Sequence, residues 1–177
     1  VSPHTLYTVG MELLRLLGDL AASKGLPVCL HLAESPEETE FLESGEGDIA
    51  TRLYPAVGQD VSGFKGIGRP IPEYLAEAGL LRDGLLLAHN VHLALSTIDA
   101  LREGGARFVL CPRSNAAHGN GAPDVTHFVD AGIPFVTVSA YVTSPYAINV
   151  DSDYGGWGRD MMAAIAKTLD GKGNVLF

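Results

Sequence analysis

The chain has 177 residues, of which 46% are hydrophobic and 19% charged, so it can bury a core as one domain or as one domain with a short appendage. Its formal charge of −9 argues against nucleic acid or an anionic membrane as the main partner. No apolar run reaches the roughly 18 residues that a membrane-spanning helix needs. Residues 1–4 lack the basic and apolar segments of a signal peptide, and the missing Met indicates that this is not a natural start. We therefore expect a soluble protein without a signal peptide.

Apolar periodicity and turn residues predict helices that alternate with strands. In chain order, the first predicted elements are a helix at 9–24, a strand at 26–32, a helix from Ser35 to about 42, a short helix at 72–79 and a strand at 85–89. Residues 48–68 are punctuated by glycine, and we assign only a helical stretch near 49–53. The later predicted elements are a helix at 96–103, a strand at 108–111, a loop at 116–121, a helix at 124–131, strands at 133–138 and 147–150, a helix at 157–169 and an apolar end at 175–177.

The predicted strands are continuous apolar runs, which is typical of a parallel sheet covered by helices on both faces. We expect an α/β fold with five or six parallel strands in a single domain, residues 1–177. So few strands cannot close an eight-stranded barrel, so an open doubly wound sheet, flavodoxin-like or Rossmann-like, is one prediction. The alternative is half of a TIM-type barrel, which would hide its open sheet edges by forming a homodimer.

The sequence contains two cysteines, Cys29 and Cys111. Both lie in apolar, strand-like runs. We expect them to be reduced, buried thiols rather than a disulfide.

Three predicted strands end in polar residues of the kinds that bind metals or transfer protons. These ends read His-Leu-Ala-Glu at 31–34, His-Asn-Val-His at 89–92 and Cys-Pro-Arg-Ser-Asn at 111–115. The carboxyl ends of parallel strands are where function gathers in such folds. A histidine there can bind a metal through one ring nitrogen, and Glu34 is close enough in sequence to His31 to move protons at that metal. Taken alone, each residue also has a structural explanation, since Glu34 could simply open the next helix.

Together with the Ser-Pro-His stretch that ends at His4, these motifs resemble the amidohydrolase superfamily, in its branch of nucleoside and aminofutalosine deaminases and chlorohydrolase-like enzymes. The resemblance covers residues 1–132. It implies a (β/α)₈ barrel, of which this chain would form roughly the second half.

The resemblance also implies roles for individual side chains. His31 would bind the metal, Glu34 would shuttle the proton, and His89 would position and polarise the attacking water. Three further residues would contact the substrate: His4, Ser114 and Asn115.

Two departures from that family concern the metal. The paired histidines of the family's first barrel strand are absent, and Ala140 aligns with the Asp that follows its last strand. Only His31 then remains of the usual ligands, whereas a catalytic zinc site normally keeps three protein ligands. We therefore expect no cofactor, or zinc at low occupancy only.

From about residue 131 the sequence resembles a different family, the type I periplasmic sugar-binding proteins. The resemblance rests on Asp-Ser-Asp at 151–153, Gly-Trp-Gly-Arg at 156–159 and Gly-Lys-Gly-Asn-Val at 171–175. It implies a sugar-binding cleft with four candidate side chains: Asp151, Asp153, Trp157 and Arg159. An Ala-Gly-Ile-Pro turn at 131–134 occurs in both families and would be a natural junction.

We therefore interpret the chain as a chimera, designed or recombined, that joins an amidohydrolase-derived part at 1–132 to a periplasmic-binding-protein-like part at 133–177. Such a protein would fold but would carry relic motifs without an evolved catalytic function. Two alternatives stay open: a metal-dependent deaminase fragment that is active only with a complementing half-barrel, and a module that binds a sugar or another small molecule. The localisation stays open too, because the parent families would be cytoplasmic and periplasmic respectively.

Overall fold

The computed structural model of the protein describes residues 1–130, 135–138, 147–150 and 154–168. They belong to two compact units, Val1–Asp124 and Val125–Phe177. Among the described residues, no helix is both long enough and apolar enough to cross a membrane.

The first unit alternates helices with short parallel strands. Its helices are α1 Met11–Lys24, α2 Pro36–Ser44, α3 Tyr54–Ala56, α4 Ile71–Glu77, α5 Leu95–Glu103 and α6 Pro112–His118, and a π-helical turn at Ile49–Leu53 precedes α3. Its strands are β1 Val28–Leu32, β2 Leu85–His89 and β3 Arg107–Val109.

The ends of the first two helices follow from local chemistry. Gly25 adopts the left-handed conformation (φ 62°) that ends α1, as predicted, because glycine has no Cβ to oppose it. Ser35 caps α2 through a hydrogen bond in which its side-chain oxygen accepts from the Glu38 amide, and Pro36 follows at the first helical position. The end of β1 is therefore joined to α2 by a sharply defined turn.

The three strands pair in the order β1-β2-β3, all parallel, with Leu32 opposite His89 and Ala88 opposite Val109. Ahead of β1, the chain runs alongside that strand: the Cys29 amide donates to the Val1 carbonyl and the His31 amide to the His4 carbonyl. Strands that neighbour one another in chain order are typical of a barrel segment, whereas a doubly wound sheet reverses its strand order at a switch point.

The core of the first unit is one apolar cluster. It combines buried residues of β1 and β2 with those of the surrounding helices, and it includes Leu14, Leu30, Leu75, Leu87 and Leu101. Helix α1 contacts the end of α4 closely at Gly18, where an added Cβ would overlap the Ala78 carbonyl oxygen. Gly18 therefore sets the distance between these two segments.

The second unit contains α7 Val125–Asp130, β4 Phe135–Val138, β5 Ala147–Val150 and α8 Tyr154–Thr168. Its two strands pair in parallel, with Phe135 opposite Ala147. The possible strand at 147–150 is thus confirmed. A single sheet of five or six strands is not confirmed, because the described strands form one sheet of three and one of two.

Several predicted boundaries need correction. Helix α5 begins at Leu95, one residue before the predicted start at 96, and its N-cap is Ala94. Residues 116–118, predicted as loop, belong to α6, because Pro112 fixes a helical start and alanine favours its continuation. The predicted strand at 175–177 lies outside the described residues.

The two cysteines are half-buried rather than buried. Burial alternates along β1, and Cys29 lies on the less buried face. Strand β3 ends at Val109, so Cys111 is the N-cap of α6 rather than a strand residue.

Candidate functional site

The candidate site lies at the carboxyl ends of β1 and β2. Three residues there other than glycine have left-handed backbone conformations: Ala33 (φ 50°), His89 (φ 74°) and Asn90 (φ 56°). The Ala33 carbonyl accepts hydrogen bonds from the amides of Val91 and His92, and the Leu32 carbonyl accepts one from Asn90. Backbone conformations that L-residues rarely adopt persist where surrounding bonds hold them, and they cluster at functional sites.

His31 is held by the backbone of the segment before α1. Its Nδ1 lies 2.9 Å from the His4 carbonyl oxygen, which also accepts from the His31 amide at 3.0 Å. A carbonyl can only accept, so Nδ1 carries the hydrogen and the lone pair of the neutral ring lies on Nε2. That is the arrangement by which proteins orient a metal-binding imidazole.

His89 is fixed from its other side by Asn115. The distance from His89 Nδ1 to Asn115 Oδ1 is 2.7 Å, and both residues are buried. The amide oxygen accepts, so Nδ1 donates, and Nε2 carries the lone pair of the neutral ring. The His31 and His89 rings lie side by side, with centroids 5.3 Å apart.

Glu34 faces His89 from the turn after β1. Its Oε2 lies 3.5 Å from His89 Nε2, and its side chain is 29% exposed against 8% for His89. Its Oε1 lies 3.4 Å from Asn120 Nδ2, and the Asn120 carbonyl in turn accepts from His92 Nε2 at 2.9 Å. A carboxylate, two imidazoles and an amide therefore converge on one small, partly accessible space.

Glu38 lies beneath this arrangement. It is 2% exposed, and its Oε2 accepts a hydrogen bond of 2.9 Å from the Glu34 amide. Burial raises the pKa of the Glu38 carboxyl, although the hydrogen bond from the Glu34 amide opposes the increase. Burial also raises the pKa of Tyr7, with Glu38 and Glu34 contributing to the rise through their charge.

An open cleft of about 440 Å³ adjoins Glu34. Its lining is mostly polar and comprises Tyr7, Glu34, Ser35, Glu37, Glu38, His118 and Asn120. A ligand that reaches Glu34 and His89 can therefore extend over a polar surface supplied by α2 and by the loop after α6.

The structure brings together most of the site residues that the amidohydrolase motifs predict. His31, Glu34, His89 and Asn115 form the contacts above, and the His4 ring lies 5.0 Å from that of His31 between centroids. Ser114 precedes Asn115 on α6 and is half-buried.

The predicted sugar-cleft residues do not form a described site. Asp151 and Asp153 lie outside the described residues, as does Ala140. Trp157 and Arg159 belong to α8, where Arg159 is exposed and the Trp157 side chain is not among the described ones.

Three parts of the site were not predicted from the sequence: Glu38, Asn120 and Tyr7. The Ser-x-x-Glu spacing from Ser35 to Glu38 is a capping-box signal that points to Glu38. Asn120 has no comparable signal, because a turn flanked by Gly119 (φ 73°) and Gly121 (φ 87°) brings it to Glu34.

The donor atoms fit zinc as part of a site. Neutral imidazole is a favoured zinc ligand, and the His4 carbonyl leaves His31 Nε2 available for that role. Within the described part of the chain, however, no group of three His, Cys, Asp or Glu residues could hold a metal ion. A metal ion at this position would therefore need ligands beyond those that the described residues bring together.

Curated relatives are deaminases. The aminodeoxyfutalosine deaminase of Deinococcus radiodurans is 36% identical over 155 residues, which cover 85% of this chain and 37% of that enzyme. The 5-methylthioadenosine/S-adenosylhomocysteine deaminase of Halobacterium salinarum is 35% identical over 131 residues, which cover 74% of this chain and 26% of that enzyme. The chain thus spans about a third or less of the length of these relatives.

Solved structures share the fold. The Helicobacter pylori aminofutalosine deaminase in complex with methylthio-coformycin has a TM-score of 0.65 at 20% identity, over 85% of this chain and 34% of that one. An adenosine deaminase from Xanthomonas campestris with bound zinc has a TM-score of 0.54 at 23% identity, over 96% of this chain and 33% of that one. With the sequential strand order, these likenesses favour the barrel-derived alternative over a doubly wound sheet.

The extent of the matches also bears on the predicted junction. A profile of the amidohydrolase family matches residues 1–174, well beyond the 132 residues over which the strand-end motifs carry that resemblance. None of these findings supports the predicted periplasmic part at 133–177, or a chimera. The resemblance carried by the strand-end motifs is confirmed, and the chain belongs to the amidohydrolase family.

Proposed function

We propose that this chain supplies the proton-transfer half of a zinc-dependent deaminase that acts on the exocyclic amine of an adenine nucleoside. The observation that best supports this proposal is the distance of 3.5 Å between Glu34 Oε2 and His89 Nε2, next to the His31 ring. The substrate class is supported by the curated relatives, whose names specify aminodeoxyfutalosine and 5-methylthioadenosine.

The proposed reaction replaces an amino group by oxygen. Water attacks the ring carbon that bears the amine, a carbon–oxygen bond forms, the carbon–nitrogen bond breaks, and ammonia leaves. Zinc, when bound, lowers the pKa of water so that a nucleophile is available near neutral pH. His31 is one of the ligands that would hold it.

We assign the proton transfer of this reaction to Glu34 and the positioning of the attacking water to His89. Glu34 accepts a proton from the attacking water and returns it to the departing amine, which is general base and then general acid catalysis. His89 positions and polarises the water, because Asn115 fixes its ring with Nε2 directed at Glu34. The His89 ring does not have to move far, since the buried Asn115 side chain holds it.

A complete metal site needs ligands beyond the described residues of this chain. We therefore infer that activity requires a complementing half-barrel. The test produces the chain alone and together with the part of the Deinococcus enzyme that it does not cover, both without chelator. Ammonia release is then measured from 5′-methylthioadenosine and aminodeoxyfutalosine, together with zinc content and mass in solution.

The proposal expects about one zinc per assembled pair, ammonia release that a chelator abolishes, and less than about a tenth of an equivalent on the chain alone. An assembled pair that binds zinc but releases no ammonia from either nucleoside overturns it. A folded protein without zinc or turnover in either form would instead support a recombined, non-catalytic protein. The mass of the chain alone tests whether it forms a homodimer through its open sheet edges, which we also propose.

A further inference from the structure

We propose that Glu38 is a positioning residue for Glu34: by accepting the Glu34 amide, its buried carboxyl fixes the turn from which the Glu34 carboxylate reaches His89. The catalytic consequence of this role depends on the function proposed above. The positioning itself is a property of this chain and can be tested separately.

The hydrogen bond of Glu38 differs from that of an ordinary helix cap. Glu38 is the third residue of α2, and in a capping box its side chain would bond to the amide of the N-cap residue, Ser35. Here the carboxylate extends past Ser35 and accepts from the Glu34 amide at 2.9 Å. Ser35 meanwhile caps the helix by accepting from the Glu38 amide at 3.3 Å. The side chain of Glu38 therefore binds the backbone of Glu34 rather than that of the N-cap residue, Ser35.

Burying the Glu38 carboxyl group costs free energy of desolvation. Glu38 is 2% exposed, and its Oε1 is buried without a hydrogen-bond partner among the described residues. A solvated acid in the first turn of α2 would favour the helix without such desolvation. A buried polar atom without a partner calls for an explanation, and the turn that Glu38 holds provides one.

The turn needs support from both sides. Ala33 has a left-handed backbone (φ 50°), and its carbonyl accepts the amides of Val91 and His92 after β2. Glu38 holds the next amide along the chain. Without it, the peptide between Ala33 and Glu34 would be fixed on one side only.

Direct contacts to the Glu34 carboxylate are weaker than this backbone bond. Its Oε1 lies 3.4 Å from Asn120 Nδ2, beyond the usual 2.7–3.2 Å range of an N–H···O bond. Its Oε2 lies 3.5 Å from His89 Nε2, which carries no hydrogen in the neutral ring. The 2.9 Å bond to Glu38 is thus the short contact that places Glu34. We infer that the direction of the Glu34 side chain depends on it.

The experiment measures the Glu34 side-chain rotamer from three-bond NMR couplings, and the hydrogen exchange of its amide, in the 177-residue chain without metal or substrate. We expect one rotamer in the wild type, rotamer averaging in Glu38→Ala, and amide exchange about tenfold faster in that variant. Glu38→Gln keeps an amide oxygen in the same place and should keep the single rotamer. Glu43→Gln, an exposed charge removal on the same helix, is the matched control.

A single Glu34 rotamer in Glu38→Ala, or averaging in Glu43→Gln as well, overturns the positioning role. If Glu38→Ala is not folded, averaging in the folded Glu38→Gln would overturn it too. In the assembled enzyme, Glu38→Ala should lower kcat at least about tenfold with KM within about threefold, and Glu38→Gln should restore most of it. Absence of ammonia release from the wild-type assembly would count against the proposed function alone, because the rotamer measurement requires no turnover.

Discussion

His89 and Glu34 belong to different strand–helix units, and they meet across 3.5 Å because β1 and β2 lie side by side in parallel with Leu32 opposite His89. Each then receives a buried partner from a further segment: Asn115 of α6 bonds to His89, and Glu38 of α2 bonds to the Glu34 amide. The pair is therefore assembled by strand register and oriented by side chains outside the strands.

Removal of the Glu34 carboxylate should abolish most catalysis without unfolding the protein. Glu34→Gln keeps the shape of the side chain but cannot accept and return a proton, so kcat of the assembled enzyme should fall about 10²–10⁴-fold. Single-turnover measurement of ammonia release checks this, with zinc content as the control. A variant that retains more than a tenth of wild-type kcat would remove Glu34 from the proton-transfer role.

Loss of the Asn115 side chain should destabilise the fold as well as the site. Asn115 is fully buried and accepts from His89, so Asn115→Ala leaves a buried imidazole N–H unpaired and should lower the free energy of unfolding by about 1–3 kcal/mol. Urea denaturation of the whole chain measures the change. Ser114→Ala on the same helix serves as the control and should change stability by less than about 0.5 kcal/mol. Equal effects of the two substitutions would contradict the proposed bond.

Stability should depend on pH through Glu38. Burial raises the pKa of its carboxyl in the folded state, so the folded protein binds that proton more tightly than the unfolded chain does. The stability contributed by protonated Glu38 is fully present below 4.5, the ordinary pKa of a glutamate side chain, and is lost as the pH rises through the higher folded pKa. The free energy of unfolding of wild type minus that of Glu38→Gln should therefore decrease as the pH rises above about 4.5.

Urea unfolding of both proteins between pH 4 and pH 8 measures this difference, and Glu43→Gln corrects for a general loss of one negative charge. A difference that increases with pH would reverse the sign and place the folded pKa of Glu38 below its unfolded value.

Helix α1 lies so close to the end of α4 that we expect a methyl group at Gly18 to destabilise the fold. An added Cβ would overlap the Ala78 carbonyl oxygen and approach the Gly79 carbonyl carbon, at 3.3 Å, so backbone must move. Gly18→Ala should lower the free energy of unfolding by about 1–3 kcal/mol despite the better helix propensity of alanine. Thermal unfolding checks it against Gly63→Ala, where an added Cβ meets nothing within 4 Å. A stabilised Gly18→Ala would show that the two segments can separate at little cost.

The sequence was sufficient to predict which residues lie at the carboxyl ends of the strands. His31 and His89 follow apolar runs, and apolar runs predict buried parallel strands whose carboxyl ends meet. Ser35 and Pro36 similarly mark the start of α2 by local rules that need no tertiary structure.

Other parts of the site could not be predicted because they depend on side-chain direction or on loop conformation. Glu38 lies three residues after Ser35, which is the spacing of a capping box, and only the folded turn shows that it bonds to the Glu34 amide instead. Asn120 reaches Glu34 across 86 positions in the sequence, through a turn whose two glycines have positive φ. The predicted change of family after residue 132 rested on short motifs, whereas the family match over residues 1–174 integrates weak similarity along the whole length.

The bond from His31 to the segment before α1 uses a main-chain oxygen of His4, not its imidazole. Every amino acid at position 4 has the same main-chain carbonyl oxygen. The path of the backbone, and not the side chain at position 4, therefore determines which ring nitrogen of His31 carries the hydrogen. A substitution at position 4 removes the ring that lies 5.0 Å from that of His31 but keeps this hydrogen bond. It can therefore change what approaches the site while the lone pair of His31 stays on Nε2.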